Sequence, residues 1–239
     1  TTPGDPVGAS AIDRYRAAFR AAAGSRITAA CDRAELAERL RSVRVLWRGD
    51  VHDSSRVHAL QSGLLADLLQ RGFRLTLVLE AIGIEDEPTV QRYLDGQLAP
   101  EQLGALLAQR WPGSWLDDPE LDPWFYRSLL ALARARHLPV LGLEPVPRGA
   151  LAERDDLMAA RVRDAAAAHG ERLLVVVVGQ AHLLGEGDLV RRTGLPSLAI
   201  GGEPTAALRA ASRPAAGRGA LLQSDAGLFW FEELLRAPD

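Results

Sequence analysis

The sequence predicts an α/β fold, with a largely parallel central sheet flanked by helices in a single domain. Apolar segments of strand length alternate with longer segments of helical periodicity, which is the pattern of crossover units in a parallel sheet. The run from Leu173 to Val178 is apolar throughout, as expected of a strand that is covered on both faces. No segment repeats at a fixed period, which argues against a solenoid.

The predicted elements follow one another along the chain in a simple order. Asp32 and Glu35 have the spacing of a capping box at the start of a helix. A mostly helical insertion, 87–136, follows the second core strand, and an alanine-rich helix covers about 151–169. The predicted strands are 43–48, 75–80, 140–143, 173–178, 198–200 and 227–231.

The chain is predicted to form one domain with two parts. Residues 1–42 are an N-terminal tail with helices, and residues 43–239 are the α/β domain. Residues 204–219 are rich in Ala, Pro, Gly and Arg, and this composition predicts a surface loop before the last strand.

Composition excludes several classes of function. The net charge of −3 gives no electrostatic reason to expect nucleic acid as a partner. The chain has no lysine, so Schiff-base chemistry and a lysine-dependent phosphate loop are excluded. Cys31 is the single cysteine and can form neither an internal disulfide nor a thiolate metal site. No apolar run approaches the roughly 20 residues of a transmembrane segment, and the compartment stays open.

Acidic or imidazole side chains follow four consecutive predicted strands. Asp50 and His52 follow the first strand, Glu80 ends the second, Glu144 ends the third, and His182 follows the fourth. Ligands of parallel sheets bind beyond the carboxyl ends of the strands, so we expect these five side chains to share one pocket. Such a set could bind a divalent first-row metal (Fe, Mn or Zn), with all five as candidate ligands. Without a metal, a histidine oriented by a carboxylate is a general base.

The remaining histidines are interpreted as structural. His58 lies on the helix after the first strand and faces either the pocket or solvent. His137 and His169 lie in the last turns of predicted helices, where a cation suits the helix dipole. The sequence contains none of the CxxC, HExxH, GxSxG or P-loop patterns.

Short motifs, in order along 43–231, resemble those of the ChaN-like family of the haem-uptake and Tiki superfamily. Each motif alone is weak, and it is their shared order that carries the resemblance. They are Gly49–His52 (G-[E/D]-x-H), Leu79–Ala81, Gln91–Gly96, Trp111–Trp115 with Phe125-Tyr126, Arg154–Ala159 (R-D-x-x-M-A), Gly179–His182 (G-x-x-H) and Asp225–Phe231.

The resemblance implies roles for residues of this pocket. It implies His52, Glu80 and His182 as the core polar positions. It also implies that Arg154 and Asp155 face the pocket from the long helix, and that Tyr126 is a candidate haem contact, with His52 and His182 as further cofactor-binding candidates. Asp50 stands where many members have Glu. Glu144 stands where a neutral residue is common, and we expect its extra negative charge to favour a cation or a protonated substrate over haem propionates.

Two functions from different classes follow, and haem or metal binding ranks slightly above hydrolysis on the resemblance. The first is capture of haem or iron, which the resemblance places outside the cytoplasm, in a homodimer and in a membrane-anchored bacterial lipoprotein. The second is a metal- or histidine-dependent hydrolase acting on a small molecule, so whether the chain is an enzyme stays open. Its candidate catalytic residues are His52, Glu80, His182, Arg154 and Asp155. A non-catalytic interaction module ranks last.

Overall fold

The computed structural model describes residues 10–110, 115–116, 118–145, 149–212 and 221–236. Within these residues the chain forms an eight-stranded sheet flanked by helices, which confirms the predicted fold class. The strand order is β1-β7-β8-β6-β2-β5-β3-β4. The strands are β1 (Ile27–Cys31), β2 (Val45–Asp50), β3 (Leu75–Gly83), β4 (Val140–Glu144), β5 (Leu173–Gly179), β6 (Ser197–Ile200), β7 (Leu221–Ser224) and β8 (Phe229–Phe231).

Most of the sheet is parallel, and the parallel part positions the pocket. Two inner strands, β2 and β5, pair with each other in parallel, and each also pairs in parallel with a second neighbour. Antiparallel pairing is confined to β1, β7 and β8 at one side. The carboxyl ends of β2, β3, β4 and β5 therefore meet at one edge, as the sequence predicts.

Helices cover both faces of the sheet, and the predicted helical insertion lies between β3 and β4. In the described part of the chain, no helix is long and apolar enough to cross a membrane. The helices are α1 (Ala11–Ala22), α2 (Arg33–Leu40), α3 (Ser55–Gln70), α4 (Glu87–Leu94), α5 (Pro100–Arg110), α6 (Pro123–Arg136), α7 (Leu151–Ala168), α8 (Leu189–Thr193), α9 (Ala206–Ala211) and α10 (Glu232–Leu235).

Alternating side chains of the inner strands β2 and β5 pack into two separate hydrophobic cores, one on each face of the sheet. Leu46 and Val175 face the core that contains residues of α3, α4, α5 and α6. Trp47 and Val176 face the opposite core, together with residues of α1 and α7. Burial on both faces explains why these strands read as continuous apolar runs in the sequence.

The fold differs from the sequence-based expectation at β1 and β7, which are absent from the predicted strands, and in the loop 204–219. The edge strand β1 has the sequence ITAAC and is half-exposed. Its hydrophobic pattern is too weak to predict a strand. Strand β1 pairs with β7, so part of the predicted N-terminal tail belongs to the sheet. The predicted loop 204–219 contains α9, and 213–219 of this loop lies outside the described residues, as do 1–9 and Trp111. The capping box of Asp32 and Glu35 forms as predicted.

Gly201, at the end of β6, tests the packing of the sheet against Trp230. A Cβ atom at this position would lie 2.2 Å from the buried Trp230 ring. We expect Gly201→Ala to lower the free energy of unfolding by about 1–3 kcal/mol, because the ring cannot move without disturbing the core. Chemical denaturation measures the change.

Gly170 provides the matched control, since a Cβ atom there would meet nothing within 4 Å. Gly170→Ala should leave the free energy of unfolding unchanged or raise it by up to about 1 kcal/mol. Equal destabilisation by the two substitutions would contradict the described packing.

Candidate functional site

A cavity of about 550 Å³ opens at the carboxyl-terminal edge of the sheet. Its wall is built by the segments that follow β2 and β5, by the residues before α6, by the start of α9 and by α1. The polar lining includes His52 and His182, both of which the sequence predicts for the pocket. The participation of α1 is not predicted by the sequence.

Asp50 and His52 form a carboxylate–histidine pair at this cavity. Asp50 Oδ2 lies 2.9 Å from His52 Nδ1 and accepts a hydrogen bond from the Tyr126 hydroxyl at 2.5 Å. The Asp50 side chain is fully buried, whereas that of His52 is 32% exposed and packs on the ring of Trp115. An ionised carboxylate can only accept hydrogen bonds, so Nδ1 of His52 carries the proton. In the neutral ring, Nε2 is then an unprotonated base.

The buried Asp50 carboxylate is held in its ionised form. Burial alone would raise its pKa, but the hydrogen bonds from His52 and His58, and the charges of these rings, outweigh burial and hold the pKa of Asp50 well below its usual range. Burial, together with the charge and hydrogen bond of the same carboxylate, raises the pKa of Tyr126, whose hydroxyl therefore stays a donor. Asp50 is thus a fixed negative charge behind His52.

Glu80 lies beside this pair and is bound on both carboxylate oxygens. Oε2 accepts from the backbone N–H of Gly179 at 2.7 Å, and Oε1 accepts from Arg154 Nη2 at 3.1 Å. A Cβ atom built on Gly179 would lie 3.4 Å from both Glu80 Oε2 and His52 Nε2, so the two side chains face the same glycine. Burial would raise the pKa of Glu80, but His182, His52, the Gly179 N–H and Arg154 together lower it.

Arg154 neutralises Glu144, which corrects the expected excess of negative charge. Its Nε and Nη2 atoms donate to the two oxygens of Glu144 at 2.8 and 2.5 Å, a bidentate geometry. The third contact, to Glu80, places the guanidinium between two buried carboxylates. Neither Arg154 nor Glu144 lines the cavity, so Arg154 is not placed to hold a ligand there as the sequence suggested.

His182 and Asp155 form a second carboxylate–histidine pair. Asp155 Oδ1 lies 2.6 Å from His182 Nδ1, and its other oxygen accepts from the Tyr15 hydroxyl at 2.8 Å. His182 Nε2 points towards Glu80 Oε1 at 3.8 Å. Burial would lower the pKa of His182, but the Asp155 hydrogen bond and the charges of Glu80 and Asp155 raise it. The site therefore holds an exposed and a buried histidine on either side of Glu80.

The predicted site residues form a network of two bonded groups, which face each other at Gly179, and one residue lies in an unexpected place. Tyr126 is 1% exposed, hydrogen-bonds Asp50, and does not line the cavity, so it supports the site from behind and is not positioned for a direct haem contact. The network comprises Asp50, His52, Glu80, Tyr126, Glu144, Arg154, Asp155 and His182.

The residues do not fit a divalent-metal site as they stand. Across the described ranges, no group of three or more His, Cys, Asp or Glu side chains is arranged to hold a metal ion. The oxygens of Asp50, Glu80 and Glu144 are bound to the protein's own donors. For haem, His52 Nε2 is the imidazole atom best placed to reach iron, because His182 is buried between Asp155 and Glu80.

Three functional positions escaped sequence analysis. His58, which the sequence analysis interprets as structural, is buried, and both of its ring nitrogens are hydrogen-bonded to carboxylates. Asp122 binds His58 from the start of α6, and Tyr15 of α1 binds Asp155. Because these partners are separated by 64 and 140 residues, no short stretch of sequence predicts their contacts. For His58, the six-residue spacing from His52, with the second histidine on the following helix, is a local pattern that could have indicated the site.

Comparison with known proteins finds one family whose model matches part of the chain. The family model described as "Haem-binding uptake, Tiki superfamily, ChaN" matches residues 36–153, just under half of the chain. This segment contains Asp50, His52, Glu80, Tyr126 and Glu144. This match confirms, for the segment 36–153, the resemblance found in the sequence. None of the curated protein sequences matches the chain.

Solved structures share the fold at low sequence identity. The effector domain RRSP of a MARTX toxin from Vibrio vulnificus is 17% identical, with a TM-score of 0.53, over 85% of this chain and 40% of that one. The type III effector HopBA1 is 17% identical, with a TM-score of 0.52, over 82% and 90%. ChaN of Campylobacter jejuni, described with cofacial haem binding, is 10% identical, with a TM-score of 0.52, over 72% and 89%. At these identities the likeness shows the fold alone.

Arg154 provides a test of the buried charge network. We expect Arg154→Met to lower the free energy of unfolding by about 3–5 kcal/mol, because it leaves Glu80 and Glu144 as buried carboxylates without their cation. Adding Glu144→Gln should restore part of the loss. Urea denaturation at pH 7 measures both changes.

Arg163, on the same helix, is exposed and donates to a backbone carbonyl, so Arg163→Met is the matched control. Its effect should stay within about 0.5 kcal/mol. A similar loss in both variants, or no recovery with Glu144→Gln, would contradict the network.

Proposed function

We propose that the chain is a histidine-dependent hydrolase of ester or amide bonds, with His52 as the general base. The observation that carries this proposal is the Asp50–His52 pair, in which a buried carboxylate orients an imidazole that opens into the cavity. The pairing leaves Nε2 of neutral His52 as the atom that can take a proton from water. An oriented histidine of this kind contributes about 10²–10⁴-fold to the rate of proton transfer.

The proposed reaction uses the two histidines in sequence. His52 Nε2 removes a proton from water as the water oxygen bonds to the carbonyl carbon of the substrate. The carbonyl π electrons move to oxygen, and His182, whose raised pKa favours the protonated ring, stabilises the developing negative charge by its own positive charge at the cavity wall. As the bond to the leaving group breaks, the leaving group takes the proton that His52 holds. Both histidines end in their starting states.

Glu80 and Arg154 support this chemistry from within the protein. Glu80 lies between the two histidines and stabilises their protonated forms by its charge, which is consistent with the direction of its own pKa shift. Arg154 offsets the negative charge of Glu80 and Glu144. Its side chain does not line the cavity, so it does not occupy the space proposed for the substrate. Every proton transfer in this proposal is made by residues of the network.

Haem binding is a second candidate, favoured by the family whose model matches residues 36–153. Its specific support in this chain is that the exposed His52 opens into a cavity of about 550 Å³. In this function His52 Nε2 would hold the iron, and Asp50 would increase the basicity of the imidazole through Nδ1. Bound haem would supply redox or oxygen chemistry, or would itself be the cargo.

Hydrolysis is tested with a panel of p-nitrophenyl esters and fluorogenic peptides. For a cleaved member, His52→Gln should lower kcat by about 10²–10⁴-fold, because the general base is removed. His169→Gln, at the end of α7 and outside the cavity lining, should stay within twofold of the unsubstituted protein. Equal rates in His52→Gln and the unsubstituted protein would contradict the role of His52, and cleavage of no panel member would contradict the hydrolase.

Haem binding is tested by titrating protein purified without added cofactor with haemin and recording the Soret band. If haem binds through His52, His52→Gln should abolish the shift of the band, while Tyr126→Phe should retain it because Tyr126 lies behind the site. Loss of the shift in Tyr126→Phe alone would contradict this placement of the iron. Elemental analysis of the same sample reports bound first-row metals.

A further inference from the structure

We propose that His58 and Asp122 are positioning residues that hold the Asp50–His52 pair in its reactive geometry. This inference rests on the proposed function, in which His52 Nε2 is the base. Neither residue lines the cavity, so each would act through Asp50 or through the backbone of His52.

The four residues form a closed ring of hydrogen bonds. His58 Nε2 lies 2.8 Å from Asp50 Oδ1, and His58 Nδ1 lies 2.8 Å from Asp122 Oδ2. The backbone N–H of Asp122 donates to the carbonyl oxygen of His52 at 2.9 Å. Asp50 Oδ2 bonds His52 Nδ1 and completes the ring. One residue, Asp122, therefore contacts both the backbone of His52 and the group behind its carboxylate.

The ring also fixes where the protons lie. Both nitrogens of His58 face carboxylate oxygens, which have no proton to give when ionised. Both nitrogens must therefore donate, and His58 is a doubly protonated cation between two anions. Its hydrogen bond occupies Asp50 Oδ1 and leaves Oδ2 for His52. This division of the two oxygens selects the His52 tautomer whose Nε2 is free of a proton.

Packing keeps His58 from moving out of this arrangement. Its ring is 3% exposed and stacks on Phe125, with centroids 3.9 Å apart and planes only 2° from parallel. Tyr126 contacts it edge-on from the same helix, α6. A solvated histidine on a helix surface would have neither contact. These contacts hold the His58 ring in place behind Asp50.

The test combines a disruptive and a restoring substitution. In His58→Gln the amide can still donate to Asp50, but its carbonyl oxygen then faces Asp122, and the two acceptors repel. In the double variant His58→Gln/Asp122→Asn, the Asn amide can donate to the Gln carbonyl, so an uncharged chain of hydrogen bonds is restored. His169→Gln is the matched control for the histidine substitution.

Kinetics are measured with p-nitrophenyl acetate, and the tautomer of His52 with long-range ¹H–¹⁵N correlation spectra of the histidine rings. We expect His58→Gln to lower kcat by roughly 10–100-fold with KM within about twofold, the size of effect known for groups that orient histidine ligands. The spectra should show His52 changing from the Nδ1–H tautomer to a mixture. In the double variant, we expect log kcat to recover by at least about a third of its loss, and the spectra to show His52 again as the Nδ1–H tautomer.

The two readouts separate failure of this inference from failure of the proposed function. An unchanged His52 tautomer and an unchanged kcat in His58→Gln would overturn the positioning role. A folded double variant that recovers neither kcat nor the tautomer would also overturn it. If the unsubstituted protein fails to hydrolyse the ester, the hydrolase proposal loses support for this substrate, while the spectra still decide whether His58 and Asp122 set the tautomer.

Discussion

The site depends on one buried negative charge, the carboxylate of Asp50 at the end of β2. A carboxylate removed from water is costly unless donors surround it, and here His52, His58 and Tyr126 supply three hydrogen bonds. These donors come from the loop after β2, from α3 and from α6, so three separate elements must assemble before the charge is satisfied. The carboxylate therefore has all three donors only when the helical insertion, which contains α6, is packed against the sheet.

Around this charge the sheet brings together two carboxylate–histidine pairs that differ in access to solvent. His52 is partly exposed and faces the cavity, whereas His182 is nearly closed off by Asp155, Tyr15 and Glu80. Because the environments differ, the two rings suit different tasks, one as an accessible base and one as a buried positive charge. The same cavity could hold haem through His52, so the haem-binding candidate and the hydrolase proposal both depend on this residue. The geometry, with every carboxylate oxygen of the network engaged by protein donors, disfavours the divalent-metal site that the sequence suggested.

The sequence predicted the parallel core and the polar edge because both follow from local patterns. The apolar run of β5 and the residues that end each strand are visible in any short window, and Asp50, His52, Glu80 and His182 meet as expected. The pairing partners could not be predicted, since Asp122 and Tyr15 reach the site from helices distant in the chain. The role of Glu144 was misjudged for the same reason: its charge is cancelled by Arg154, a contact across the sheet edge. Tyr126 was found through the family pattern, but its direction, towards Asp50 and away from the cavity, required coordinates.

The most direct test of this account is the ionisation of Asp50, followed through the ¹³C chemical shift of its carboxyl carbon as the pH falls from 7 to 4. Asp50 has a pKa held well below the ordinary value of 3.8 by its histidine partners, so the signal should stay constant over this range. A signal that shifts within this range, as that of a carboxyl with the ordinary pKa of 3.8 does on approaching pH 4, would show that the carboxylate is not held by two histidines. In that case an ionised Asp50 would not orient His52, and the proposal that His52 is the general base would be contradicted.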